Sequence, residues 1–107
     1  MIRDIHSETD MDEEFLEKKG LVLLEFAAGW CRPCRLMEPV FAGVEEKFGG
    51  KIRLCRIDID EQEELVSRFN LEGVPVFILF DGEKELGRII GYRRKDLFFA
   101  DIDQFLN

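Results

Sequence analysis

The chain has 107 residues, 46% of them hydrophobic and 36% charged, with a formal net charge of −8. That is enough for one core and a single domain over residues 1–107, and it is not the composition of a disordered chain. No apolar run approaches the ~20 residues a bilayer demands, and a phosphate backbone would need clustered positive charge, so no membrane and no nucleic-acid partner is expected.

In chain order, residues 1–14 lack the basic-then-apolar character of a secretory leader, which predicts a cytoplasmic chain. Asp10–Gly20 places Met11, Phe15 and Leu16 at helical spacing, with acids first, lysines last and a stopping glycine. Leu21–Phe26 is a continuous apolar run too short for a helix, the pattern of a central strand buried on both faces. Beyond it, Leu36, Met37, Val40, Phe41, Val44 and Phe48 mark a helix ending at Gly49-Gly50, and Pro39 predicts a kink there by removing the bond to the Arg35 carbonyl. Ile52–Ile59 reads as a strand, Glu61–Phe69 as a short helix and Val76–Phe80 as a third strand. Asp81-Gly82 is a hairpin signal leading into residues 83–91. Apolar residues at 98, 102 and 105/106 make a last amphipathic helix. The order implies an α/β fold, a mixed sheet with helices on both faces.

Cys31 and Cys34 fall between the first apolar strand and the helix that follows. There the unpaired backbone N–H groups and the positive end of the helix dipole favour a thiolate. The i, i+3 spacing brings both sulfurs to one side of the first turn, close enough for a disulfide. Pro33 costs little in that turn, because its missing N–H would be unpaired in any case. Cys31 is expected to be the exposed nucleophile and Cys34, one turn deeper, the resolving thiol. A zinc site would need two more ligands, and only Cys55 and His6 are available; no metal is expected. A purely structural bridge would close too short a loop to stabilise much. Cys55 reads as a small buried hydrophobe. The acids from Asp58 to Glu64 lack the glycine of a calcium loop and read as a strand end entering a helix.

Glu25 is the one charge inside its apolar strand, and burying it is costly unless it is paired or used. It either reaches solvent, pairs with Arg56 on the neighbouring strand, or acts as a base whose affinity for the proton is raised by burial. Arg32 and Arg35 beside the cysteines and Arg93, Arg94 and Lys95 after Gly91, which the fold would bring together, read either as a basic flank suited to acidic surroundings on a partner or as a plain solvated helix start.

The chain resembles the thioredoxin family. The likeness lies in Trp30-Cys31-Arg32-Pro33-Cys34, in Leu23–Phe26 before it and Pro39 after it, and in Arg56–Asp60, Gly73–Phe80, Asp81-Gly82 and Ile89–Tyr92. It implies four or five strands flanked by four helices, and thiol–disulfide exchange with no bound cofactor. It further implies a monomer acting on protein disulfide substrates and re-reduced by a separate thioredoxin reductase or an equivalent electron donor. By the same resemblance Glu25 stands where the family usually has an aspartate assisting proton transfer at the resolving cysteine, and Arg56 where a lysine is common. Ala27 replaces a frequent tryptophan. Trp30, Ile59, Gly73, Val74, Pro75 and Gly91 would form a shallow apolar docking surface. Pro75, by itself an ordinary strand-start proline, would carry a cis bond packed against the disulfide. Arg32, in place of the usual glycine, would tune the Cys31 thiolate. A disulfide oxidase or isomerase, or a non-enzymatic binding module on the same fold, are the alternatives.

Overall fold

Leu21–Ala27 forms the middle strand of a five-stranded mixed sheet in the computed structural model, which describes residues 1–107. In chain order the elements are β1 (Ile2–Ile5), α1 (Glu8–Asp12, continued by a π-helical turn over Glu13–Glu17), β2 (Leu21–Ala27), α2 (Arg32–Lys47) and β3 (Ile52–Asp58). There follow α3 (Glu63–Val66, then a 3-10 turn over Ser67–Phe69), β4 (Val76–Asp81), β5 (Lys84–Ile90) and α4 (Lys95–Phe105). The strand order is β1-β3-β2-β4-β5, with β1, β3 and β2 mutually parallel, β4 antiparallel to β2, and β5 antiparallel to β4.

The apolar run of β2 has no alternation because both faces are covered. Leu23 packs with Leu54, Phe77 and Leu79 under α2 and α4, whose Met37, Phe41, Phe98 and Ile102 are fully buried. Val22, Leu24 and Phe26 point the other way, against Met11 and Phe15 of the first helical segment and Leu65 of α3. Phe105 closes α4 over Gly87 of β5, where any Cβ would come under 3.0 Å from three ring atoms. Only glycine fits there.

Several boundaries differ from the sequence reading, each for a local reason. β1 was not expected: four residues with charges at Arg3 and Asp4 carry no usable alternation, and the free edge of β3 is what makes them a strand. α1 begins at Glu8 rather than Asp10, because the Ser7 hydroxyl accepts the Asp10 N–H at 3.1 Å and caps the helix. Its buried stripe is Met11, Glu14 and Phe15, at i, i+3, i+4, which leaves Leu16 exposed. The predicted Glu61–Phe69 helix is α-helical only over Glu63–Val66, and Asn70 at φ 52° ends the 3-10 turn that follows. The hairpin turns on Gly82 and Glu83, since Asp81 still pairs with Lys84; Gly82 takes the positive φ the turn requires. α2 runs unbroken through Pro39, anchored on either side by buried Met37, Val40 and Phe41, while Leu36 faces solvent.

Candidate active site

β2 and α2 are joined by Ala28–Trp30, so Cys31 sits just beyond the carboxyl end of the central strand as the N-cap of α2. Its N–H bonds back to the Ala28 carbonyl at 3.2 Å, and its sulfur accepts the Cys34 N–H at 3.2 Å. Backbone that normally caps a helix with an oxygen here points at sulfur, and partial positive charge at this position favours a thiolate. Cys31 and Cys34 are joined in a disulfide with Cα atoms 5.3 Å apart. The expected exposure of Cys31 is not found: Cys31 is 4% and Cys34 5% exposed. The bridge folds both sulfurs against Ala28, with Ala27, Ile59 and Val74 packed around them. Cover does not distinguish the two cysteines; position on the helix does.

The loops bring the remaining apolar residues to the same end of the sheet. The Val74–Pro75 peptide is cis, Pro75 is buried, and its carbonyl accepts the Gly91 N–H at 2.8 Å. That bond ties the residue after β5 to the residue before β4. Gly73 at φ +126° leaves the backbone before the cis bond open to solvent. Trp30 is 67% exposed, and its indole N–H donates to Asp60 at 2.8 Å. Asp60 carries no signal in the sequence, where it reads as one acid in a run of several. Ile90 and Tyr92, exposed beside Gly91, also escape sequence reasoning; the available signal is two large apolar residues flanking a glycine.

The arginines divide. Arg32 is exposed and makes no hydrogen bond or ion pair, with Pro33 beside it in the first turn. Arg35 donates to the Gly29 carbonyl at 3.0 Å. Arg93 and Arg94 do not form the free basic flank expected, because the turns of α4 return Asp101 to Arg93 and Asp96 to Arg94, both at 2.8 Å.

Two buried carboxylates are pushed in opposite directions by their surroundings. Burial alone would raise Glu14, but hydrogen bonds from Lys18, Arg3 and Arg53 outweigh it and hold the acid at about 2. Glu25 is 1% exposed, and neither of its oxygens has a hydrogen-bond partner. Burial pushes it up to about 7; Arg56 opposes this, while Glu38 and Asp4 add to it. The pairing of Glu25 with Arg56 exists only at 3.9 Å. Glu25 and Cys34 line one cleft of about 440 Å³, walled by the small residues Ala27, Ala28 and Gly29 and by Arg35 and Glu38 of α2. A carboxylate that burial pushes up to about 7 thus shares a solvent-accessible cleft with one of the two sulfurs. Cys55 lies in the opposite core, its thiol pushed up to about 12 by burial. No group of three or more His, Cys, Asp or Glu side chains converges on a metal-sized site.

Comparison with known proteins agrees with this geometry. The thioredoxin family model matches residues 4–104. An H-type thioredoxin of Oryza sativa subsp. indica is 34% identical over 95 residues, covering 86% of this chain and 77% of its own. A thioredoxin of Listeria monocytogenes is 32% identical over 107 residues, covering 100% of this chain and 97% of its own. The crystal structure of a thioredoxin from Nicotiana alata superposes with a TM-score of 0.85 at 29% identity, covering 97% of this chain and 91% of that one.

Proposed function

The chain belongs to the thioredoxin family of thiol–disulfide oxidoreductases, and on that premise we propose that Cys31 attacks the substrate, Cys34 resolves the adduct and Glu25 carries the proton. The protein is a protein-disulfide reductase. Its substrates are protein disulfides, and its oxidised pair is returned to the dithiol by a reductase partner.

The carrying observation is the bridge at the N-terminus of α2, with an unpartnered buried carboxylate lining the same cleft as its second sulfur. In the reduced protein the Cys31 thiolate attacks one sulfur of a substrate disulfide. The new bond joins Cys31 to that sulfur, the substrate S–S bond breaks, and the departing thiolate takes a proton from water. Cys34 then gives its proton to Glu25 and attacks the Cys31 sulfur. The Cys31–substrate bond breaks, the second substrate sulfur leaves as a thiolate that takes up a proton from Glu25 or water, and the Cys31–Cys34 disulfide remains. The substrate gains two electrons and two protons; the thiolate–thiol pair loses two electrons and one proton, and water supplies the other proton. Trp30, Ile59, Gly73, Val74, Pro75 and Gly91 receive the substrate backbone beside the bridge. Arg56 cannot act as the acid, because a guanidinium does not release its proton near neutrality.

Alkylation of the reduced protein at neutral pH tests the assignment. Cys31 is expected to react well before Cys34 and Cys55, since it alone combines the helix N-terminus with a place beside the docking surface. Equal rates for Cys31 and Cys34 in the folded protein would remove the basis for naming the nucleophile.

Arg32 is a minor tuner in this reading. It stabilises the thiolate, which exists only in the reduced form, but it is exposed and unpinned. A surface charge of that kind is worth at most about 1 kcal/mol, equivalent to a shift on the order of 10–20 mV. Arg32→Gly is therefore expected to lower the reduction potential by that amount and leave reductase activity in place. A potential that rises, or that moves by more than about 60 mV, is incompatible with one exposed charge.

A further inference from the structure

Asp4, Arg56 and Glu25 occupy one row across three adjacent strands: Arg56 is the register partner of Asp4 on β1 and of Glu25 on β2. Residues in such a row point to the same face of the sheet, here the face under α2, from which Glu38 projects. All three carboxylates reach the same guanidinium. Arg56 Nη1 donates to Glu38 at 3.0 Å and Nε to Asp4 at 3.2 Å, while the same Nη1 stands 3.9 Å from Glu25, beyond hydrogen-bond distance. The cation that would quench Glu25 is thus drawn outward by two exposed acids. The forked guanidinium makes this possible, since its donors are fixed in different directions.

We infer that Glu38, assisted by Asp4, is a positioning residue that holds Arg56 off Glu25 and so keeps Glu25 free to take the Cys34 proton. The inference rests on the proposed role of Glu25 as that base. The other titratable or charged groups facing the cleft come from the residue after β1 (His6), α2 (Arg35), β3 (Asp58) and the turn after it (Glu61). None of these touches Glu25: Arg35 is held by the Gly29 carbonyl, and His6 faces Glu61 at 3.7 Å. Glu38 is well exposed, with 59% of its side chain open to solvent, so replacing it leaves the core untouched. Its effect on Glu25 has a definite sign. Removing its charge removes a repulsion and releases Nη1 toward Glu25, and both changes favour the ionised form of Glu25.

The test is the titration of the Glu25 carboxyl carbon by NMR in the oxidised protein, where Cys34 cannot titrate and the midpoint belongs to Glu25 rather than to a coupled pair. Glu38→Gln is expected to lower the midpoint by on the order of 0.5–1 pH unit, and Asp4→Asn combined with it to lower it further. The second measurement is the pH profile of mixed-disulfide resolution, whose acid limb should move down in step. A midpoint that stays or rises in Glu38→Gln overturns the inference, whatever the rate does. A midpoint that falls while the acid limb stays in place upholds the charge sharing and overturns instead the reading of Glu25 as the base.

Discussion

Cys34→Ser turns the catalyst into a trap: the variant is expected to attack a protein disulfide once and remain bonded to it through Cys31. The substitution replaces sulfur by a smaller oxygen at a position only 5% exposed, on a helix anchored by Met37, Val40 and Phe41, so the fold and the first attack should persist. What disappears is the only sulfur placed to displace the substrate, because Cys55 lies in the other core and is held protonated by burial. Turnover should fall by about 10³-fold or more, since the cysteines act as a unit and an external thiol is the remaining route of release. Non-reducing electrophoresis of the variant with a disulfide substrate should show a stoichiometric adduct that disappears on adding dithiothreitol. Sustained turnover without an adduct would falsify the division of labour between the two sulfurs.

Glu14→Gln is expected to cost about 3 kcal/mol of folding stability. Glu14 bridges Arg3 on β1 at 2.7 Å, Lys18 at 2.8 Å and Arg53 on β3 at 3.0 Å, and its carbonyl accepts a further bond from Arg53 at 2.9 Å. It fastens the π-helical turn to two strands, at the end of the sheet away from the cysteines. Its acid form is held near 2 against an ordinary 4.5, and each unit of such a depression is worth about 1.4 kcal/mol. The sign follows from the depression: the stabilisation is complete above about 4.5 and is lost as pH falls toward about 2. Glu25 has the opposite sign. Its folded value near 7 lies above 4.5, so its contribution is complete below 4.5 and is lost as pH rises through 7. Denaturant unfolding at several pH values separates them. The gap between wild type and Glu14→Gln should be full at pH 6 and shrink below 4, with the denaturant slope unchanged. A gap below about 1 kcal/mol at pH 6, or one that does not shrink in acid, would place Glu14 among ordinary surface ion pairs.

Whatever depends on near neighbours along the chain is legible in the amino-acid sequence by itself. The apolar run at Leu21–Phe26 could only be a doubly covered strand, and the stripe Met37, Val40, Phe41, Val44 only a helix, because each pattern is read within one or two turns of chain. The cysteine pair acquires its chemistry from the same local facts, a strand end, a helix start and a spacing of three. Tertiary structure alone decides the rest. Edge pairing makes β1 a strand, and burial against Ala28, Ile59 and Val74 covers a nucleophile expected to be open. Trp30 finds Asp60 across 30 residues, Arg53 finds Glu14 across 39, and Arg56 finds Asp4 across 52. Glu25 and Glu14 are the same residue type and almost equally buried, yet one is left without a hydrogen bond and the other receives three cations. A carboxylate's proton affinity depends on charges within a few ångströms. Strand register and helix placement set those distances, and no local pattern encodes them.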